Sequence, residues 1–200
     1  MTDFGGLTAA ASDSMSEARF PAIAPEKMSD EQKALYDRIA SGPRGGVRGP
    51  YNALLRAPEL CGLSEQIGAY VRYRNSLPNV LKELAILITA RHWSAQYEWY
   101  AHRKIAEQEG LAAVICDAIA AGEPPQGMSG DEAAVFEFTS QMLKRNGVSD
   151  KAFAAMEQKF GERGILDLIY LVGHYSTVAF LLNVDRHPLP QGAAPLPPPR

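Results

Sequence analysis

A glutamate and a histidine one helical turn apart form the first pair in this 200-residue sequence that could carry out acid–base chemistry. Glu98 and His102 lie in the segment HWSAQYEWYAHRK, residues 92–104, and share one face if that segment is helical. A carboxylate beside an imidazole can fix its tautomer, which suits general acid–base catalysis. Such pairs also occur on ordinary exposed helix faces, so the spacing alone leaves both interpretations open.

A second glutamate stands upstream in a strongly apolar segment. Glu83 lies within LKELAILITARHW, residues 81–93. It could belong to a polar stripe beside Lys82, or it could be a buried carboxylate that faces a cleft. Glutamate is rarely buried without a partner, so the second interpretation requires one.

The glycine-rich segment GPRGGVRGPYN, residues 42–52, presents two arginines on a tight backbone. Arg44 and Arg48 could each bind a carboxylate through a bidentate fork. The segment is not a phosphate-binding P-loop, because no GK[ST] follows it. A surface loop with solvated arginines is the alternative.

Several other residues that could carry chemistry have simpler interpretations. The aromatic residues Tyr97, Trp99 and Tyr100 are typical of a core or an interface. His174, inside an apolar segment, is either a hydrogen-bonded core residue or part of a pocket. The two cysteines, Cys61 and Cys116, are far apart, form no CxxC motif and have no basic neighbour in sequence. Buried, unreactive thiols in a reducing compartment are therefore expected, with a cytoplasmic location.

The elements that must position these residues are predicted to be helices throughout. Capping boxes begin at Ser29 and Ser129, Gly110 ends one helix, and no convincing alternating run predicts a strand. We therefore predict an all-α domain. The eight predicted helices cover about residues 29–41, 57–75, 76–92, 94–109, 111–121, 129–147, 149–160 and 162–184. Ser76 is the expected N-cap of the third, with Pro78 just inside.

The two ends of the chain differ from the helical part. Residues 1–18 are predicted to be a flexible arm without the features of a secretory signal, residues 19–187 a single domain, and residues 188–200 an extended, proline-rich tail. The net charge of −3 gives no reason to expect nucleic acid as a partner.

The last predicted helix is apolar on nearly all sides. Residues 164–184 are about long enough to span a bilayer, but Asp167, His174 and Asn183 interrupt them, so no membrane span is expected. A helix that is apolar all round needs partners on every side. This predicts that the helix takes part in a subunit interface of a homo-oligomer.

The order and spacing of Glu83, Ala95, Glu98 and His102 resemble the core motif of the carboxymuconolactone decarboxylase family, within the alkylhydroperoxidase D-like superfamily. The resemblance extends over about residues 20–187, including the glycine-rich loop and the final GHYSTVAFLLNV. It implies an all-α bundle of antiparallel helices that assembles into trimers or hexamers. It also implies an active site among the motif residues, near subunit contacts.

The sequence departs from the peroxidase branch of that superfamily at two positions. Ala95 and Glu98 stand where that branch has the cysteines of its CxxC motif. Thiol peroxidase chemistry needs a thiolate and a resolving thiol, and this helix has neither. A peroxidase is therefore the less favoured alternative.

The resemblance then implies the decarboxylase branch, which converts 4-carboxymuconolactone to an enol-lactone of 3-oxoadipate without a metal or organic cofactor. We expect a carboxy-lyase in which His102, poised by Glu98, is the general acid, while Glu83 orients the imidazole or shuttles the proton. We expect Arg48, and also Arg44, to hold a carboxylate of a small substrate.

Tyr51 and Tyr97 are expected to line the substrate pocket. A non-catalytic ligand-binding oligomer is a further alternative. A metal site is the weakest, because the number and spacing of Glu83, Glu98 and His102 select no particular metal.

Overall fold

The computed structural model describes residues 18–43 and 45–198, and these residues form helices and loops without a strand. This confirms the predicted all-α fold with eight α-helices. A short 3-10 turn, Pro25–Lys27, precedes them. The helices are α1 (Asp30–Ser41), α2 (Pro50–Leu54), α3 (Pro58–Tyr73), α4 (Asn79–His92), α5 (Gln96–Gln108), α6 (Ala113–Ala121), α7 (Gly130–Arg145) and α8 (Asp150–Asp185).

Local capping chemistry explains where α1 and α7 begin. Ser29 and Ser129 both form complete capping boxes, with Gln32 and Glu132 as the reciprocal partners. The predicted cap at Ser76 is wrong, because Pro78 occupies the N-cap position of α4. The backbone N–H of Ser76 instead donates to a carboxylate oxygen of Asp167 at 2.9 Å.

Two elements differ from the prediction. The short helix α2 lies directly after the glycine-rich loop, where no helix was expected. The two helices predicted at 149–160 and 162–184 form one element, α8, with a kink at Gly161. Gly161 has φ 63° and ψ −179°, a conformation that glycine adopts without a Cβ clash.

Helix α4 is the centre of the fold. Every residue from Leu81 to Arg91 is buried, and α4 packs against α5, α6, α7 and α8. A smaller apolar cluster lies under α1, α2 and α3, and includes Leu35, Ile39, Tyr51 and Cys61. Val47 of the glycine-rich segment packs against this small cluster.

Helix α8 keeps a partly uncovered apolar surface. Leu166, Tyr170, Phe180 and Val184 are among its exposed large side chains. By length and composition α8 could cross a membrane, a test that core helices of soluble proteins also pass, and 44% of its most apolar window is buried inside the protein. Homo-oligomerisation through this helix, and the absence of a membrane partner, stay predictions.

The described part of the proline-rich tail is extended and folds back onto α4 and α5. Leu196 is buried, and the Gln96 amide both accepts from its backbone N–H (2.7 Å) and donates to its carbonyl (3.3 Å). Arg91 Nη1 donates to the Pro197 carbonyl at 2.5 Å. The predicted N-terminal arm lies outside the described residues, apart from its last residue.

A buried carboxylate fastens α8 to the α3–α4 connection. Asp167 accepts hydrogen bonds from Tyr70 Oη (2.7 Å), Ser76 N (2.9 Å) and Arg163 Nε (3.1 Å). Burial alone would raise the pKa of Asp167, but these hydrogen bonds outweigh it and the pKa is lowered.

Asp167→Asn should lower the free energy of unfolding by about 2–3 kcal/mol at pH 7, because an amide cannot accept the same three bonds. A depressed pKa makes this contribution present above about pH 4 and lost as pH falls through the folded-state pKa. Urea denaturation at several pH values measures the effect. Asp131→Asn, which removes an exposed pair with Lys159, is the control and should cost at most about 1 kcal/mol.

Leu196→Ala should undock the tail, because it removes the buried side chain that anchors it. Amide hydrogen exchange of the tail should then speed up by at least about tenfold, since even about 1.4 kcal/mol of lost local stability is a factor of ten. The matched control is Leu189→Ala, a half-buried leucine of the same tail. Equal exchange in the two variants would contradict the anchoring role of Leu196.

Candidate active site

Glu83 of α4 and His102 of α5 form a buried hydrogen-bonded pair. His102 Nδ1 lies 2.7 Å from Glu83 Oε2, and the two residues are only 7% and 5% exposed. Of the two interpretations of Glu83, the structure therefore supports the buried carboxylate and not the polar stripe. The partner of Glu83 lies 19 residues away in sequence. Lys82 does not share a polar stripe with it, since Lys82 is buried and its Nζ donates to the Arg72 carbonyl.

The pair determines which imidazole nitrogen remains for chemistry. With Glu83 ionised, Nδ1 of His102 donates to the carboxylate, and Nε2 is left for another partner. The ring of Tyr175 meets the imidazole edge-on at 4.9 Å and 85°. His102 is thus held by a charge on one side and an aromatic ring on another.

Glu98 does not take the position that its spacing from His102 predicted. It is 2% exposed, and neither carboxyl oxygen has a hydrogen-bond partner among the described residues. Spacing of four residues allows contact, but His102 Nδ1 is already used by Glu83 and Glu98 lies in the core. Burial raises the pKa of Glu98 well above its usual range, because an ionised carboxylate loses its hydration there.

A cavity of about 260 Å³ brings four of the predicted residues together. Arg48 and Tyr51 reach it from the glycine-rich loop and α2, and Tyr97 and His102 from α5. Glu83 and Glu98 do not line it, and Glu83 acts on it through His102. Arg44 lies outside the described residues, so its predicted role stays a prediction.

The close approach of the glycine-rich loop to α5 depends on Gly49. This residue has φ 58°, and a Cβ added to it would lie 3.0 Å from Cε1 of Tyr97. Burial raises the pKa of the Tyr97 hydroxyl, while the nearby Arg48 guanidinium opposes that shift. A glycine at this point therefore lets the arginine-bearing loop close over the tyrosine.

The cavity also contains residues that sequence reasoning did not assign to the site. Arg72 and Ser64 come from α3, and Tyr175 comes from α8 beside His174, which sequence analysis had left open. Among the residues that the structure describes, no aspartate or glutamate lines this cavity. Arg48 and Arg72 therefore give the cavity a positive potential that favours an anion. Only the packing of α3 and α8 on α5 reveals these contributions.

The two cysteines are in poor positions for redox chemistry. Cys61 lies in the small apolar cluster and Cys116 in the main core, and neither lines the cavity. Both are fully buried, and burial raises the pKa of each thiol to about 11. At neutral pH both are thiols rather than the reactive thiolates.

Glu98→Gln should gain stability relative to the wild type as pH rises. The raised pKa means that folded wild-type protein keeps a proton which the unfolded chain releases above about pH 4.3, so its stability falls from there up to the folded-state pKa. The difference in free energy of unfolding should grow by up to about 1.4 kcal/mol per pH unit from about pH 5 until the pH passes the folded-state pKa of Glu98. Urea denaturation measures it, and the exposed Glu107→Gln, on the same helix, should show no comparable slope.

Comparison with known proteins supports the fold but not a particular reaction. The sequence matches no family model and no curated protein. Among solved structures, the alkylhydroperoxidase AhpD core of an uncharacterized peroxidase-related protein from Ralstonia eutropha aligns with a TM-score of 0.69 at 14% identity, over 84% of this chain and 90% of that one. An uncharacterized peroxidase-related protein from Silicibacter aligns with a TM-score of 0.68 at 12% identity, over 90% and 93%.

A third similar structure is a protein of unknown function from Agrobacterium tumefaciens, described as a putative antioxidant defence protein AhpD. It aligns with a TM-score of 0.58 at 17% identity, over 72% of this chain and 99% of that one. At these identities the likeness concerns the fold alone. The chain therefore has the AhpD-like all-α fold.

Proposed function

We propose that this protein is a cofactor-free lyase that decarboxylates a small carboxylated lactone or a related acid by general acid–base chemistry. The observation that supports this best is the buried Glu83–His102 pair beside a cavity lined by Arg48 and by no carboxylate. A cavity of about 260 Å³ suits a small substrate.

Substrate binding rests on the arginines of the cavity. The Arg48 guanidinium is exposed and makes only a long hydrogen bond, 3.4 Å, to the Gly45 carbonyl. It can therefore turn to a substrate carboxylate without breaking a strong contact. Tyr51 and Tyr97 form the apolar and hydroxyl-bearing walls beside it.

The chemical step needs an electron sink and a proton donor. Breaking the carbon–carbon bond to the leaving CO₂ places its electron pair in the unsaturated lactone, where a hydrogen-bond donor such as Tyr97 stabilises the charge. His102, as imidazolium, then gives its Nε2 proton to the substrate carbon and takes a proton back from solvent. The Glu83 carboxylate stabilises the imidazolium through Nδ1, which is the role that sequence analysis had assigned to Glu98.

A thiol-dependent peroxidase is the main alternative, because two of the structurally similar proteins are described as peroxidase-related. The burial and raised thiol pKa of Cys61 and Cys116 count against it. A ligand-binding protein without catalysis would also use the arginine-lined cavity.

Purified protein should turn over 4-carboxymuconolactone or a related lactone, and His102→Ala should lower kcat by about 10²–10⁴-fold, the usual contribution of a general acid. Glu83→Gln should lower kcat as well, because the amide cannot stabilise the imidazolium. The control is His92→Ala, an exposed histidine at the end of α4 outside this cavity, which should keep full activity. Unchanged turnover in His102→Ala would contradict the assigned acid.

Arg48→Gln should raise KM by about 10–100-fold, as expected for the loss of a charge-assisted hydrogen bond of about 1.5–3 kcal/mol. The Cys61→Ser, Cys116→Ser double variant should decarboxylate like the wild type. Peroxide reduction that disappears in the double variant would favour the peroxidase, and binding of the lactones without turnover would favour the ligand-binding protein.

A further inference from the structure

A second cavity, of about 460 Å³, lies between α4, α6 and α7. It shares no lining residue with the candidate active site. Its buried wall is formed by Ile88 and Arg91 of α4 and Ile119 of α6. A cavity of this size is in the usual range for small-molecule sites.

The cavity is lined by a buried guanidinium, that of Arg91, which is unusual because arginine is mostly exposed. The residue is 8% exposed, and Nη1 donates to the tail carbonyl of Pro197. Nη2 has no hydrogen-bond partner among the described residues and is closed off from solvent. An arginine stays protonated in proteins, so this buried cation has donors that the fold leaves unused.

The rim of the cavity carries charges of both signs. Lys144 and Arg145, in the last turn of α7, are exposed on it. Glu123 and Glu137 also lie on it, and Glu137 accepts a hydrogen bond from Gln141. Glu123 makes contacts of its own. Together with Arg91, the cavity therefore has three cationic and two anionic side chains. Of these five side chains, only the Arg91 cation is buried.

Apolar surface surrounds the buried charge. Ile88, Ile119, Phe136 and Leu143 all line the cavity. An inorganic anion would leave this surface unused, whereas the hydrocarbon part of an organic acid would cover it. The combination of one buried cation and an apolar wall selects for an amphipathic anion.

We propose that this cavity binds a small organic carboxylate, with its carboxylate on the Arg91 guanidinium and its apolar body against Ile119 and Phe136. Nη2 is closed off from solvent, so a carboxylate in the cavity reaches it only if the guanidinium turns toward the cavity. Lys144 and Arg145 attract the anion at the rim. The site is separate from the proposed decarboxylation and does not depend on it.

Titration calorimetry of the full chain with benzoate as the probe tests the site. Benzoate should bind the wild type, and Arg91→Gln should weaken binding by at least tenfold. Because Arg91 also holds the tail, a second variant is needed: Ser140→Phe fills the cavity from α7 and should abolish binding without removing the guanidinium. Lys151→Gln, which removes an exposed cation outside both cavities, is the matched control and should bind benzoate like the wild type. Arg48→Gln reports whether benzoate occupies the candidate active site instead.

Three results would overturn the proposal. The first is no benzoate binding to the wild type. The second is binding that Arg48→Gln removes and Ser140→Phe leaves intact, which would place the anion in the candidate active site. The third is inorganic phosphate binding as tightly as benzoate, with loss in a Lys144→Gln, Arg145→Gln variant only, which would indicate a surface ion without a built site.

Discussion

The burial of helix α4 is the constraint on which the rest of the structure depends. Its residues from Leu81 to Arg91 are all enclosed, so its one carboxylate, Glu83, has no access to water as a partner. Burying this carboxylate without a partner would cost folding free energy. The imidazole of His102 provides the partner, with its Nδ1 2.7 Å from Glu83 Oε2. The same hydrogen bond joins the central helix to α5 and leaves the imidazole beside the cavity. One interaction thus serves both stability and the proposed chemistry.

The other buried charges of α4 follow the same rule and organise its surroundings. Lys82 donates to the carbonyl of Arg72 at the end of α3, and Arg91 donates to the carbonyl of Pro197 in the tail. Lys82 therefore bonds the end of α3 to the central helix, and Arg91 bonds the tail to it. Arg91 has more donors than the tail uses, and the second cavity lies beside it.

The contrast between Glu83 and Glu98 shows how burial separates the roles of two similar side chains. Glu83 has an imidazole partner, whereas Glu98 has no hydrogen-bond partner within the described part of the chain and its pKa is raised by burial. The resemblance noted in the sequence aligns Glu98 with a cysteine of the peroxidase branch. In this chain the position holds a buried carboxyl group with a raised pKa, while Cys61 and Cys116 lie elsewhere as buried thiols. The fold is similar to that of proteins described as peroxidase-related, but neither cysteine lines the candidate active site.

The sequence by itself determined most of the helices but not α2, because capping and helix propensity act over a few residues: Ser29 and Ser129 cap where their neighbours predict. It also predicted that Arg48 and His102 belong to one site, and both line the same cavity. Only the tertiary structure decided that Glu83, and not Glu98, is the partner of His102, and that Arg72 faces the same cavity. Such contacts depend on how whole helices pack, and sequence spacing within one helix carries no information about a neighbour that arrives from elsewhere in the chain.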